Sequence, residues 1–177
     1  MSPVGHSLTG LALGALVIPP EWSTKSKTIS ACVFVLLANT PDLPFPCWGH
    51  QRYDISHSLF STAVGCVVAA AMAYFALRRR VSFPGRMITA GVIAWGSHLL
   101  LDMFYNHGKG LAMFWPYSDA RLALTIPWFS HLDLSDLWSW HNIRVALVES
   151  LFYGSVLTLA LFIRRYVLSD RKMPKAR

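Results

Sequence analysis

Apolar and polar positions along this 177-residue chain fall into long blocks, not into alternation. Apolar segments run over about 3–18, 28–39, 58–77, 87–104 and 145–163. None shows the period-two pattern of a half-buried strand, so the whole chain reads as helical. The segment at 58–77 ends on Arg78, Arg79 and Arg80. At 1.5 Å per residue its length matches a hydrocarbon core of roughly 30 Å. The segments at 87–104 and 145–163 are also long enough to span. The last is closed by Arg164 and Arg165 and carries Glu149 near its start, where a lipid-facing carboxylate is costly. The first segment is marginal and the second is short, which suits a tilted, re-entrant or internally packed helix. Pro19 and Pro20 end the first segment, Pro41, Pro44 and Pro46 end the second, and SFPG at 82–85 makes the turn before the fourth. The expectation is an all-α, polytopic membrane bundle of about five apolar helices. It forms a single domain over 1–177 with a basic tail at 164–177.

Composition agrees. Hydrophobic residues make up 54% of the chain, charged residues 14%, and mean hydropathy is +0.40. The net charge of +7 does not imply nucleic acid, because the Lys and Arg residues sit at the ends of apolar runs and no nucleic-acid motif accompanies them. If all five segments cross, twelve of the basic residues lie on one face and four on the other. The richer face is cytoplasmic, which puts the N-terminus outside and the C-terminus inside, its basic tail against an anionic leaflet. The segment MSPVGHSLTGLALGALVIPP lacks a basic n-region and an A-x-A site, so it reads as a retained helix. Cys32, Cys47 and Cys66 form no C-x-x-C, and Cys32 and Cys66 read as small core residues. Trp115, Trp128, Trp138 and Trp140 lie in the long outer stretch 105–144, where they suit an aromatic belt at a membrane surface.

Candidate chemistry concentrates in GSHLLLDMFYNHG, 96–108. His98 and Asp102 are four apart and share one helix face. Imidazole and carboxylate are both zinc ligands, and a metal would relieve the cost of burying them. A plainer account is a mutual hydrogen bond that caps the helix. Asp42 follows the second segment in ANTPDLPFP, His57 opens the third in ISHSLF, and His6 opens the first in PVGHSLTG. Each has a plainer role too: a turn residue for Asp42, and for His57 a first-turn position beside a Ser56 or Ser58 cap. The topology brings all of these, and His107, to the outer ends of their segments. His131, Asp133, Asp136 and His141 follow no ligand spacing.

PVGH at 3–6, PDL at 41–43, SHSL at 56–59, GSHLLLDMF at 96–104 and FWPYSDARLAL at 114–124 together resemble the YdjM-like inner-membrane proteins, a family of predicted membrane-bound metal-dependent hydrolases. That family is distantly similar to the zinc-dependent phospholipase C and P1 nuclease fold. The resemblance implies a helical core of that type. It also implies a zinc held by Asp42, His57, His98 and Asp102, with His6 serving a neighbouring zinc that shares Asp102 and His107 a further one. The chain departs from the pattern where Pro44 replaces the second Asp of PDxD. QRYDISHS lacks a His before His57, and no His-x-x-x-Glu follows His107. These departures reduce the expectation to one or two ions, most simply zinc.

The resulting reading is a membrane hydrolase with a metal at Asp42, His57, His98 and Asp102, His6 beside it, and Asp42 as ligand or general base. It would act on a phosphoester of small-molecule or lipid type at the outer face, with membrane lipids as surroundings. One alternative is a non-catalytic protein whose metal staples the helices. Another is a proton- or ion-coupled transporter, which the confinement of the ionisable groups to one face opposes.

Overall fold

The computed structural model describes residues 2–77, 85–105, 110–133 and 135–168. His107, Arg78–Arg80, most of the SFPG turn and the tail beyond 168 lie outside them. The elements are α1 (Pro3–Val17), α2 (Thr24–Asn39), a one-turn α3 (Tyr53–Ser56), α4 (Leu59–Leu77), α5 (Gly85–Asp102) and α6 (Trp140–Ile163). A π-helical turn over Arg164–Leu168 extends α6. Among the described residues there is no strand, only an isolated bridge between Leu111 and Leu122.

Serine caps set several of the boundaries. Ser2, Ser23 and Ser139 accept hydrogen bonds from Val4, Ser26 and Asn142 N–H groups at the starts of α1, α2 and α6. Because Ser23 caps α2, the helix begins at Thr24 and takes Lys25 and Lys27 into its first turn, four residues ahead of the expected apolar boundary.

α1 is central, packing against α2, α5 and α6, while α4 packs on α5. Its small residues make this possible. A Cβ added at Gly10 would lie 2.6 Å from the Phe34 carbonyl oxygen, so α1 and α2 meet backbone to backbone. Gly14, one turn on, faces the Phe34 ring. This is the small-xxx-small spacing of helix pairs in lipid. Ile18, Phe34, Met87, Ala90 and Ala94 fill the adjoining core. Two contacts tie α1 to α6. Glu149, fully buried, accepts from the backbone N–H groups of Ser2 (2.9 Å) and Gly5 (3.0 Å), and from the Ser2 hydroxyl. Arg164 donates to the Ala15 carbonyl at 2.7 Å. A carboxylate thus meets the positive end of α1 and a guanidinium its negative end, and the two helices run parallel.

Much of the apolar surface faces outward. Val67, Phe75, Leu151 and Leu159 are each more than half exposed, as expected for helices in lipid. Trp140–Tyr166 is long and apolar enough to cross a membrane; Pro3–Val17 and Leu59–Ala71 are shorter apolar helices. Five full spans are therefore not reached on length and composition among the described residues. Cys66 is buried, but Cys32 is exposed on α2, contrary to the core position expected for it. Trp128, Trp138 and Trp140 are exposed in or next to the loop ahead of α6.

Candidate metal centre

The start of α1, the end of α2, the α3–α4 junction and the end of α5 meet at one end of the bundle. α2 passes into a 3-10 turn over Thr40–Asp42, where Pro41 is buried and Asp42 projects from the last residue. His57 does not open α4. It lies between α3 and α4, and its ring stacks on Tyr53 (centroids 3.9 Å). Ser58 caps α4 by accepting from Ser61 N–H, so the capping role expected near His57 falls to its neighbour. His98 and Asp102 occupy the final turn of α5 and face inward. His6, His57 and His98 are completely buried.

One donor atom each from Asp42, His57, His98 and Asp102 can be chosen so that all lie within 4.8 Å of one another. His57 Nε2 is 3.2 Å from an Asp42 oxygen and 3.5 Å from Asp102 Oδ2. His98 Nε2 is 3.7 Å from Asp42 and 3.5 Å from Asp102 Oδ2. The two Nε2 atoms are 3.2 Å apart. A tetrahedron with zinc-ligand bonds of about 2.05 Å has edges of roughly 3.3 Å.

The hydrogen-bonding arrangement suits this set to a cation. His98 Nδ1 is 2.8 Å from the Ala38 carbonyl, which can only accept, so that nitrogen carries the proton. His57 Nδ1 has the Tyr53 carbonyl at 3.2 Å and the Ser56 hydroxyl at 2.8 Å. With Nδ1 engaged in this way, Nε2 of each ring faces the two carboxylates. Two protons cannot both lie between nitrogens 3.2 Å apart. Carbonyl-anchored imidazoles of this kind are the usual surroundings of a metal.

His6 stands at the border. Its ring stacks on His98 (centroids 3.7 Å, planes 12° apart), and Nε2 is 3.2 Å from Asp102 Oδ1, the oxygen turned away from His57 and His98. His6 Nδ1 is buried with no hydrogen-bond partner among the described residues. Asp102 thus reaches the four-residue cluster with one oxygen and His6 with the other.

Asp42 is the one cluster member whose side chain is appreciably exposed, at 15%. Burial alone would raise its pKa, but the His57 and His98 imidazoles hold it well below the usual carboxylate range. The Tyr53 phenol is pushed above its ordinary value by burial and then by the carboxylates of Asp102, Asp42 and Asp54, so it stays neutral beside the cluster. His131, Asp133 and Asp136 are exposed in the loop ahead of α6 and His141 in its first turn; the His131 and His141 rings are 6.5 Å apart, but among the described residues the four form no metal-sized group. His141 Nε2 lies 3.0 Å from the His131 carbonyl, and Asp133 bonds Ser135. Sequence reasoning gave no place in the site to Ser2, Tyr53 or Asn39. Only Glu149 carried a signal, a carboxylate inside an apolar run.

The chain matches the family model of the YdjM inner membrane protein over residues 1–167 and belongs to that family. No curated protein and no solved structure matches it.

Proposed function

We propose that this YdjM-family member is a metal-dependent membrane hydrolase that cleaves a phosphoester at the face where α1 begins. The observation that carries the reading is the pair of carbonyl-anchored imidazoles directing two Nε2 atoms at two carboxylates. That donor set fits a divalent ion with nitrogen and oxygen preference, zinc foremost. When bound, such an ion supplies Lewis acidity and lowers the pKa of a coordinated water.

The protein's own groups divide the remaining work. His57 and His98 are locked by their Nδ1 bonds. Asp102 is buried and shared with His6, which suits a fixed ligand. Asp42, the most exposed of the four side chains, serves as ligand or as general base toward a bound water. His6 orients Asp102 or holds a second ion with it. The charge distribution supports an outside position for this end of the bundle, with the C-terminus cytoplasmic.

A structural staple is the second reading. Four protein donors fill a tetrahedral shell, and they join α2, α4 and α5. Elemental analysis of detergent-purified protein tests the shared premise. About one zinc per chain is expected, lost in both Asp42→Ala and His98→Ala. Metal-free wild type would end both readings. Hydrolysis of a phosphodiester by the metal-loaded protein then separates enzyme from staple. Reporter fusions after Arg177 should read cytoplasmic, and an external signal would overturn the orientation.

A further inference from the structure

Asp42 also lines a groove of about 660 Å³ between α1 and α2, within the size range of small-molecule sites. Its upper end is polar, with Asn39 and Ser7 beside Asp42. Below them the walls are apolar, formed by Leu11, Val35 and Leu36 and reaching Thr28. From Asn39 to Thr28 the helix falls roughly 16 Å. That is about half of the roughly 30 Å hydrocarbon core, the depth of one leaflet.

Asn39 adds a chemical requirement. Its Nδ2 donates to the Val35 carbonyl at 2.8 Å and to Ser7 Oγ at 3.2 Å, and because the carbonyl only accepts, the amide orientation is fixed. Its Oδ1 is then a buried acceptor with no donor among the described residues. The atom is closed off in this conformation, so a hydroxyl or ammonium next to a phosphoester would satisfy it after a side-chain shift at the end of the groove.

We infer that the groove holds one acyl chain of a membrane phospholipid. The chain lies along α1 and α2, the phosphoester meets Asp42, and a head-group donor meets Asn39. The assignment of the ester to cleavage rests on the hydrolase reading; the seat of the chain does not. The apolar pocket between α2, α4 and α5, by contrast, is lined by none of the four cluster residues.

The test uses full-length, zinc-loaded protein in nanodiscs of phosphatidylethanolamine with a minor share of phosphatidylglycerol. A trace of the latter carries a diazirine at the end of one acyl chain. After irradiation, peptide mass spectrometry should find label concentrated near Thr28, Cys32 and Leu11. Cys32→Trp and Leu36→Trp, made separately to fill the groove, should each lower that label about tenfold while zinc content is kept. Hydrolysis of the lipid should fall in parallel, while a water-soluble phosphodiester is cleaved at the wild-type rate. Label spread evenly over the outward faces of α4 and α6, and unchanged by both fillings, overturns the inference. Label in the groove with neither substrate cleaved sinks the hydrolase reading and leaves the acyl seat standing. If either tryptophan variant loses zinc, the other variant and the wild-type label map still decide.

Discussion

Asp102→Asn, measured with and without zinc, separates a metal centre from a metal-free ion-pair network. The side chain keeps its shape and loses its charge. Donor oxygens of Asp42 and Asp102 lie within 4.8 Å of one another. Without a cation between them, two ionised carboxylates at that distance repel by at least about 3.5 kcal/mol at an effective dielectric constant of 20. A bound divalent ion reverses the sign of this contribution. At a hundredfold excess over its Kd an ion adds about 2.7 kcal/mol of stability. In zinc, the Asn variant should therefore be less stable than wild type by a few kcal/mol. For a chain of this size that is a melting shift of roughly 5–12 °C. In chelator, the variant should match or exceed wild type, because the repulsion is gone. The assay is thermal unfolding in detergent of both proteins under both conditions, with zinc content measured alongside. An equal loss of stability with and without zinc would refute the reasoning. It would show that Asp102 is held by protonated histidines, where breaking a buried pair costs about 3–5 kcal/mol whatever the metal.

Two further predictions concern the scaffold. Glu149→Gln should lower stability by about 2–3 kcal/mol, because two backbone N–H groups and a hydroxyl lose their charged acceptor; the loss should persist in chelator, and a neutral result in unfolding assays would deny Glu149 its role at the start of α1. Gly10→Ala should cost about 1–3 kcal/mol, since the added methyl meets backbone atoms that cannot rotate away, whereas Gly96→Ala, with nothing within 4 Å of the new Cβ, should be neutral or slightly stabilising by the same measurement.

The helical class was legible because apolar blocks without alternation leave few other structures. The convergence of Asp42, His57, His98 and Asp102 was legible for a different reason. Each residue closes or opens an apolar segment, and alternating helix direction sends those ends to one face. What could not be read was side-chain detail set by tertiary partners. His57 looked like a first-turn residue of α4, but a one-turn helix precedes it and Ser58 takes the cap. Ala38, whose carbonyl fixes the His98 tautomer, is an ordinary apolar residue in the sequence. Cys32 matched a core pattern by composition, yet α2 turns it outward. Helix starts were read late where polar or small residues open the helix, as at Thr24 for α2, Gly85 for α5 and Trp140 for α6.

Glu149 links the apolar scaffold to the cluster, although it touches none of its four side chains. Its carboxylate holds the first turn of α1 through Ser2 and Gly5. His6 is the next residue on that turn, and its ring stacks on His98 and reaches Asp102. Any shift of α1 along α6 would therefore move His6 against both. Arg164 fixes the same helix at its other end, so sliding is resisted by contacts at both termini. A carboxylate buried in an apolar helix needs partners in place before lipid surrounds it, and the N–H groups at a helix start are always free to bond. The first turn of α1 thus satisfies Glu149 while Glu149 sets the height of His6. One buried carboxylate accounts for the charge in the longest apolar helix and for the register of His6 beside the cluster.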